Sequence, residues 1–475
     1  MVPGVAGSSP VLRPILRSRF TELRMAQPPN LKSEEGRSYI LNNSMKNELQ
    51  RARGVRDLLP EEKIARNQLV EKLREIFELF GYNPIETPVI ERYDLFASKF
   101  GIGEASDAMK ETFKFSDQGK RDLVLRTEFT MPLARYIGMN SVSMPFKRYQ
   151  IGKVFRDGPI KLGRYREFWQ CDVDCIGIGN MSIDSELIEL TQSVFEGFGL
   201  DVEIQINNRK ILDIILDVSG IKEELRESLI ITIDKLDKIG VAGVETELES
   251  KGIEKESINK VIKLISIEGS NDQIIAKLEE SVGNCEGLDE IKQILDNLGS
   301  KGNVRFLPTL ARGLAYYSGT VFEVFLKNTK EFGSSLAGGG RYDNMLAGLI
   351  GKSNDYPAIG ISFGLDAIFD VMSAKKMINE QKTVVEAYVI AISEDEKPFA
   401  IKVASQLREL GVRTEVDYLG KKMKKNLEIV NKLNIPFAII IGEDEAKSEK
   451  VAIKNMKTGE QTVCDVNKAK QIIKS

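Results

Sequence analysis

The sequence predicts an α+β domain with an antiparallel sheet and flanking helices, interrupted by a mostly helical insertion and followed by a small α/β domain. Short strand-like segments without regular βαβ alternation indicate the antiparallel sheet in residues 45–209 and 303–378. Residues 210–302 are rich in Leu, Ile, Lys and Glu at helical spacing and contain no aromatic residue or proline, which predicts the helical insertion. Residues 384–475 alternate strand and helix patterns, as in a parallel-type sheet.

The first 44 residues show no sustained helical or strand period, and we expect a disordered or targeting extension there. The first 21 residues contain three Arg and no acid, which weakly resembles an organelle transit peptide. The alternative is an extension upstream of the true start, with Met45 beginning the folded protein. Of the two interpretations, we favour the second.

Folded structure is expected from about Arg51 onwards. Residues 57–62 predict a helix start, because Pro60 and two acids would occupy its first turn. One apolar helical face follows until Gly81, and it consists of Leu69, Leu73, Ile76, Phe77 and Phe80. Strands are predicted around residues 82–90, 123–126, 146–155, 168–176, 304–325, 334–336 and 359–363.

The C-terminal region combines a small α/β pattern with positive charge. Strands are predicted at 388–392, 413–416 and 437–441, separated by helices at 397–410 and 421–433. Residues 401–475 contain 15 Lys and Arg against 10 Asp and Glu, although the whole chain has a net charge of −3. A solvated charged face would explain this bias, but a positive module also suits a polyanionic partner.

The composition excludes several classes of chemistry. There is no histidine, which rules out Ser-His and Cys-His nucleophile pairs and every His-containing metal site. The four cysteines are too few and too scattered for a disulfide framework, which indicates a reducing compartment. Cys171 and Cys175 lack the CxxC spacing of a zinc site and are expected to be buried thiols. No apolar run approaches the roughly 18 residues of a membrane span, so the sequence predicts a soluble protein.

Three arginine-bearing segments carry the strongest chemical signal: residues 154–170, 311–323 and 334–343. In the first, a strand, an Asp-Gly-Pro turn and a returning strand would bring Arg156 and Arg164 towards one place, which suits a phosphate. The alternative is a hairpin with surface salt bridges. Gly338 to Gly340 let the backbone approach a ligand closely. Neither a P-loop nor a Rossmann glycine motif is present.

These segments resemble the histidyl-tRNA synthetases, a branch of the class II aminoacyl-tRNA synthetases. The resemblance extends from Arg51 to the C-terminus, and its most specific parts are GRYREF with Gln170, RGLxYYxGTVFE and AGGGRYD. The Phe-Arg-Asp-Gly-Pro loop looks most like archaeal members of the family. The resemblance implies a class II catalytic domain and a C-terminal anticodon-binding domain. Its predicted activity is that of a histidine–tRNA ligase.

The resemblance also implies roles for individual residues. The expected catalytic residues are Arg156 and Arg312. ATP would be bound by Arg156 at its α-phosphate, by Arg164 nearby and by Phe168 stacked on adenine. The expected histidine-binding residues are Glu128, Thr130, Gln170, Asp174, Arg312, Tyr316, Tyr317, Gly338 and Gly339. Glu128, Thr130 and Gln170 would lie near the amino group, and the two tyrosines near the imidazole.

The cofactors implied by the resemblance are ATP and Mg²⁺, with no protein side chain assigned as a metal ligand. The implied partners are L-histidine and tRNA(His), and residues 81–88 match a dimer-interface motif, which implies a homodimer. No membrane association is expected. We expect a cytoplasmic location, with the mitochondrion as a weaker alternative based on the N-terminal extension.

The predicted chemistry does not require histidine. In the first step, an ionised substrate carboxylate attacks the α-phosphorus of ATP, so positioning and charge neutralisation are sufficient. In the second step, a phosphate oxygen of the adenylate can accept the proton of the tRNA ribose hydroxyl. Arginines, carboxylates and Mg²⁺ therefore provide what the two reactions need.

Two positions depart from the family pattern. Ala367 stands where the third class II motif usually has an arginine that clamps the γ-phosphate, and Ala315 stands where many members have Asp. The alternative to an active ligase is therefore an inactive paralogue that acts as a histidine-sensing regulatory subunit. Such regulators lack the anticodon-binding domain and tend to lose the catalytic arginines, whereas Arg156, Arg164 and Arg312 are present here. The RGLxYY and AGGGRYD segments disfavour a synthetase for another amino acid.

Overall fold

The computed structural model describes residues 49–99, 111–160, 164–299, 303–312, 316–328, 333–350, 356–378 and 381–475. The predicted extension at residues 1–44 lies outside the described residues, and so does Ala315. In the part of the chain described, no helix is long and apolar enough to cross a membrane.

The first part of the chain forms the predicted first helix and most of the predicted strands. Helix α1 ends before Phe80 and Gly81, and Gly81 has a φ of +78°, which a residue with a side chain rarely adopts. The elements in order are α1 (Pro60–Leu79), β1 (Asn83–Pro84), β2 (Ile90–Arg92), α2 (Tyr93–Lys99), β3 (Lys114–Ser116), β4 (Asp122–Leu125), α3 (Thr130–Met139), β5 (Phe146–Phe155), β6 (Glu167–Ile176), α4 (Ser182–Gly197) and β7 (Val202–Asn208).

The region predicted as an insertion is helical throughout its described part. Its helices are α5 (Arg209–Val218), α6 (Glu223–Ile233), α7 (Leu236–Ser250), α8 (Lys255–Ile265), α9 (Asn271–Val282) and α10 (Glu286–Leu298). Their buried side chains, such as Leu229, Val261 and Ile291, belong to the same apolar core as strands β7 and β6. The helices therefore share a core with the sheet and extend it on one side.

The chain then returns to the sheet and completes it. The remaining elements of this part are β8 (Val304–Phe306), β9 (Thr320–Leu326), β10 (Ala337–Arg341), α11 (Asp343–Ile350), β11 (Ala358–Gly364) and α12 (Leu365–Ala374). The large sheet has the strand order β1-β5-β6-β11-β10-β9-β7-β8. Strands β2, β4 and β3 form a separate small antiparallel sheet.

The central strands of the large sheet pair in antiparallel fashion, as predicted. In spatial order, these strands are β5, β6, β11, β10, β9 and β7. The sheet as a whole is mixed, because β1 runs parallel to β5 and β8 runs parallel to β7. Both parallel strands are only two or three residues long, which is too short to produce an alternating pattern in the sequence.

The C-terminal domain contains the predicted α/β pattern and an additional hairpin. Its elements are β12 (Ala387–Ala391), α13 (Lys397–Glu409), β13 (Thr414–Val416), α14 (Met423–Lys432), β14 (Phe437–Ile441), α15 (Glu443–Ser448), β15 (Val451–Asn455), β16 (Gln461–Cys464) and α16 (Val466–Lys474). Strands β13, β12 and β14 are parallel, as predicted. Strands β15 and β16 continue the sheet in antiparallel fashion and were not predicted.

Candidate active site

Strand β6 separates the polar site from the apolar core. Because side chains alternate along a strand, Gln170, Asp172 and Asp174 share one face. Cys171 and Cys175 point to the other face and are buried in the core, as predicted for two thiols. Burial raises the pKa of the Cys175 thiol to about 12, so it stays protonated at neutral pH.

The polar face of β6 forms the floor of a cavity of about 380 Å³. The neighbouring strand β11 contributes small residues to the same face, since Gly364, Ser362 and Gly360 are in register with Gln170, Asp172 and Asp174, respectively. A Cβ atom at position 360 would lie 2.0 Å from Oδ1 of Asp174. Gly360 is therefore what leaves room for this carboxylate.

The cavity brings together nearly all residues that the sequence indicated. The predicted residues that line it are Glu128, Thr130, Arg156, Phe168, Gln170, Asp174, Arg312, Tyr316, Tyr317, Gly338 and Gly339. Arg164 is exposed and is not among the lining residues. Further lining residues that sequence reasoning missed include Glu111, Thr127, Asp172, Ser335 and Tyr342.

The hairpin from β5 to β6 delivers Arg156 to the cavity. The Arg156 Nε donates to the carbonyl oxygen of Thr127 at 3.1 Å, and its guanidinium carbon lies 5.2 Å from the centre of the Phe168 ring. Within the same hairpin, Arg166 and Asp157 form a surface ion pair of 2.9 Å. The hairpin thus contains an arginine that lines the cavity, as the phosphate-site interpretation predicts. It also contains a surface salt bridge, as the alternative interpretation predicts.

Arg312 lies over the glycine run of strand β10. A Cβ atom at position 338 would be only 1.8 Å from Nη1 of Arg312, so a side chain there would displace the guanidinium from this position. Glu323, which is in register with Gly338 on β9, holds the same Nη1 at 3.3 Å. The ring of Tyr317 lies 5.7 Å from the guanidinium carbon. These contacts fix Arg312 above the sheet.

Glu128 is held at the beginning of helix α3. Its Oε2 accepts the backbone N–H of Thr130 at 2.6 Å, and its Oε1 accepts that of Met131 at 3.0 Å. A carboxylate at this position satisfies N–H groups that the first helical turn leaves without partners. Both oxygens of Glu128 therefore already have a structural function at the edge of the cavity.

A buried ionic network lies at the Asp174 end of the cavity. Asp174 Oδ2 is 2.6 Å from Nη2 of Arg148, and the two side chains are 6% and 0% exposed. Tyr342 donates its hydroxyl proton to the other oxygen of Asp174. Tyr316 packs edge-on against Tyr342, with ring centres 6.3 Å apart. The sequence carries no signal for Arg148, because the same strand also contains Lys147, Gln150 and Lys153.

Asp172 occupies the middle of the cavity floor. Its Oδ1 accepts a hydrogen bond from Nε2 of Gln170 at 3.0 Å, and the Ser362 side chain provides another. Burial, together with the nearby charge of Asp174, raises the pKa of Asp172 to about 7. Burial also raises the pKa of Asp174, against the lowering effect of Arg148.

The arginine of the AGGGRYD segment has a structural position. Arg341 is buried and pairs with the buried carboxylate of Asp184 on helix α4. Its Nη1 and Nη2 donate to the carbonyl oxygens of Ile178 and Asn180 at 3.2 and 3.3 Å. Arg341 therefore ties strand β10 to the segment that leads into α4.

The beginning of helix α12 adjoins the cavity at Gly364. Asp366 is buried and accepts hydrogen bonds from Arg66 and from the backbone N–H of Trp169, the latter at 2.6 Å. A Cβ atom at Gly364, which lines the cavity, would lie 3.7 Å from Cβ of Ala367. Ala367 thus stands beside the cavity rim, where the family pattern usually has arginine.

No group of three or more Asp, Glu, Cys or His residues suited to hold a metal ion occurs in the residues that the structure covers. Single carboxylates, Glu111 and Glu128, line the cavity together with Arg156. Mg²⁺ usually binds through one or two carboxylates, waters and substrate phosphates. The donor set therefore fits a Mg²⁺ ion that is held mainly by a nucleotide.

Comparison with known proteins identifies the family. The family model for histidyl-tRNA synthetase matches residues 54–368, and the model for the anticodon binding domain matches residues 386–475. The large mixed sheet with its cavity and the α/β domain after it form a class II aminoacyl-tRNA synthetase fold. The chain belongs to the histidyl-tRNA synthetase family.

Individual relatives agree with this assignment. The chain is 42% identical to "Histidine--tRNA ligase 2" of Shouchella clausii over 86% of this chain and 96% of that protein. It is 39% identical to "Histidine--tRNA ligase 1" of Bacillus thuringiensis over 87% and 97%. The crystal structure of histidyl-tRNA synthetase from Nostoc superposes with a TM-score of 0.78 at 30% identity, covering 90% and 99%. These relatives are bacterial, so the predicted archaeal likeness is not supported.

Proposed function

We propose that this protein is a histidine–tRNA ligase, which activates histidine with ATP to histidyl-adenylate and transfers it to the 3′ end of tRNA(His). The observation that carries the proposal is the single cavity that contains both Arg156 and Arg312 and the buried Arg148–Asp174–Tyr342 network. Arginines suit phosphates and carboxylates, and the network suits a polar ring. One cavity therefore provides for both substrates of the first step.

ATP is proposed to bind at the Arg156 end. Phe168 provides a flat surface for adenine, and Arg156 beside it can contact the α-phosphate. Glu111, a cavity carboxylate near Arg156, would complete the coordination of Mg²⁺, which when bound would neutralise charge on the departing pyrophosphate. Arg164 remains a predicted ATP contact, made from the exposed part of the hairpin.

Histidine is proposed to bind between Arg312 and Asp174. Arg312, fixed above Gly338, would hold the substrate carboxylate, and Asp174 with Tyr342 would face the imidazole. Glu128, Thr130 and Gln170 border the position of the amino group. Gly339, Tyr316 and Tyr317 complete the wall of the pocket.

This arrangement allows activation without a general base. The substrate carboxylate is already ionised at neutral pH and attacks the α-phosphorus directly. Arg156 and Arg312 hold the two reacting groups in contact and stabilise the charge that develops on the phosphate. In the transfer step, an oxygen of the adenylate phosphate accepts the proton of the ribose hydroxyl.

The proposal includes the partners of the reaction. The positive C-terminal domain is proposed to bind the anticodon region of tRNA(His), consistent with its family model. A homodimer and a cytoplasmic location complete the proposal, following the family resemblance and the bacterial relatives. The mitochondrial alternative has no support among these relatives.

Ala367 is the observation that favours a second candidate, a catalytically inactive, histidine-sensing regulatory subunit. Without an arginine at this position, one usual contact to the γ-phosphate is replaced by a methyl group. Against this candidate, Arg156 and Arg312 line the cavity and the anticodon-binding domain is present. The ligase is therefore the function that these residues support better.

The test is histidine-dependent exchange between ATP and pyrophosphate, measured with the purified full chain beside a panel of other amino acids. Exchange with histidine alone, followed by charging of tRNA(His) transcripts, is the expected result. The variant Arg156→Lys tests the role of this arginine. It keeps the positive charge but loses the bidentate geometry, so it should reduce exchange strongly. Binding of histidine without any exchange would instead support the regulatory subunit.

A further inference from the structure

Arg126 is a buried arginine behind the cavity to which neither the family resemblance nor the comparisons assign a function. It follows strand β4 directly, and its residue is only 4% exposed. Thr127 and Glu128, the next two residues, line the cavity, whereas Arg126 is not among the lining residues. Burying a guanidinium is costly unless its donors are satisfied, so the partners of Arg126 indicate what it does.

The side chain of Arg126 joins two separate parts of the chain. Its Nη1 donates to the carbonyl oxygen of Thr87 at 2.6 Å, and its Nε donates to that of Lys153, near the end of β5, at 2.9 Å. A guanidinium presents its donors in a rigid planar fork, which permits two such contacts in fixed directions. A lysine carries its donors on one flexible nitrogen and lacks this geometry.

The main chain of residue 126 is fixed by the same two parts of the chain. The Arg126 N–H donates to the carbonyl oxygen of Val89 at 2.9 Å, and the Arg126 carbonyl oxygen accepts the N–H of Phe155 at 3.0 Å. Side chain and main chain therefore both attach this residue to the end of β5. These contacts determine the position of the next peptide group, whose carbonyl oxygen belongs to Thr127.

The space around the guanidinium is closely filled. Its central carbon lies 4.7 Å from the centre of the Phe129 ring. A Cβ atom at Gly152 on strand β5 would lie 2.9 Å from Nη2 of Arg126. A methyl group at position 152 would therefore displace the guanidinium without removing its charge.

The carbonyl oxygen of Thr127 accepts the hydrogen bond from Nε of Arg156 at 3.1 Å. Arg156 is exposed although it lines the cavity, so this hydrogen bond and the Phe168 ring are needed to restrict a side chain with many rotamers. Glu128, by contrast, is anchored separately by two N–H groups of helix α3. A movement of Thr127 would therefore release Arg156 while Glu128 keeps its own anchors.

We propose that Arg126 is a positioning residue for the activation step: it fixes the carbonyl oxygen of Thr127 and thereby orients the guanidinium of Arg156 towards the α-phosphate of ATP. The inference rests on the proposed function, since it takes Arg156 to be the α-phosphate contact. Because Arg126 lies outside the cavity lining, its effect on ATP passes through Arg156.

The first test is Arg126→Lys, which keeps the charge and loses the fork geometry. In histidine-dependent exchange between ATP and pyrophosphate, we expect kcat/KM for ATP to fall about tenfold or more, as for a lost hydrogen bond to a charged group. The affinity for histidine, measured by isothermal titration calorimetry without ATP, should change less than about twofold, because Glu128 and Arg312 keep their own contacts.

The decisive measurement is a double-mutant cycle with Arg156→Lys. If Arg126 acts through Arg156, adding Arg126→Lys to Arg156→Lys should lower kcat/KM for ATP by less than about twofold, whereas the losses from a merely structural effect would multiply. The matched control is Arg341→Lys, because Arg341 is another buried arginine that donates to two backbone carbonyl oxygens. At a temperature where it is folded, it should leave kcat/KM for ATP unchanged in both backgrounds.

Each other outcome has a definite meaning. An unchanged kcat/KM for ATP in Arg126→Lys, losses that multiply in the double variant, or an equal loss of affinity for histidine would overturn the inference. A wild-type protein without histidine-dependent exchange would instead contradict the proposed function. If Arg126→Lys does not fold, Gly152→Ala, which displaces the guanidinium, must show the same selective loss and the same result in the cycle.

Discussion

The guanidinium of Arg148 and the carboxylate of Asp174 form an ion pair of 2.6 Å in the interior of the protein, directly beneath the cavity. The two residues are also opposite each other in the pairing of strands β5 and β6. The backbone pairing therefore determines where both charges lie, and Tyr342 adds a hydrogen bond to the same carboxylate. The charge of Asp174 is stabilised by residues that do not depend on bound substrate.

Removal of Arg148 should destabilise the whole protein. Arg148→Met leaves Asp174 as a buried charge without its partner, and such changes cost about 3–5 kcal/mol. We expect the free energy of unfolding, measured by urea denaturation, to fall by this order. The control is Arg92→Met, which removes an exposed pair with Asp94 and should cause no measurable change. Equal stability of Arg148→Met and wild type would show that the pair is not important for folding.

Gly338 should be essential for activity although it carries no side chain. In Gly338→Ala the new methyl group would displace the Arg312 guanidinium, because the two would lie only 1.8 Å apart. We expect kcat/KM for histidine in pyrophosphate exchange to fall about 100-fold, as for a misplaced reacting group. Gly348→Ala, where an added Cβ would meet nothing within 4 Å, is the control and should retain activity. Full activity of Gly338→Ala would exclude this position for Arg312.

Arg341 should affect stability but not substrate binding. Arg341→Met leaves the buried Asp184 without its ion pair, so we expect the unfolding free energy to decrease by about 3–5 kcal/mol. At a temperature where the variant is folded, KM for ATP and for histidine should equal the wild-type values. A stable variant with a raised KM for either substrate would show instead that Arg341 acts on the cavity.

The sequence predicts much of this fold because its longer elements have clear patterns. The ten-residue strands β5 and β6 and the first helix carry enough alternation or helical periodicity to be recognised. Strands β1 and β8 have only two or three residues, so the parallel pairs at the sheet edges produce no signal. The sequence did not predict the β15–β16 hairpin, because its second strand has only four residues and is mostly exposed.

The sequence predicted the cavity residues that lie in contiguous motifs. It missed the residues whose contacts arise only from pairing between strands. Arg312 and Gly338 come from recognisable segments, and the structure brings them together. Arg148 and Asp172 become significant only when β5, β6 and β11 are in register, which a single sequence does not specify. Similarly, only the tertiary position of Asp184 shows that Arg341 is structural.

Restoring an arginine at position 367 should strengthen ATP binding. In Ala367→Arg the side chain would start beside the cavity rim at Gly364, from which a guanidinium can reach a terminal phosphate. A charged hydrogen bond contributes about 1.5–3 kcal/mol, so KM for ATP should fall about tenfold or more while KM for histidine stays constant. Ala374→Arg, at the exposed other end of helix α12, is the control. An unchanged KM for ATP would show that the triphosphate does not pass this position.

Asp172 should make the free protein less stable as the pH rises. Its pKa is raised from 3.8 to about 7 in the folded state, so between these values folding takes up a proton and stability decreases with increasing pH. Asp172→Asn removes this dependence. The variant should therefore gain in Tm relative to wild type from pH 5 to pH 8. The charged or titratable groups that face Asp172 are Asp174, Arg148, Arg126, Arg156 and Tyr316.

Thermal unfolding of wild type and Asp172→Asn, followed by circular dichroism at pH 5 and pH 8, measures this difference. A difference in Tm between the two proteins that stays the same at both pH values would mean that Asp172 does not titrate in this range.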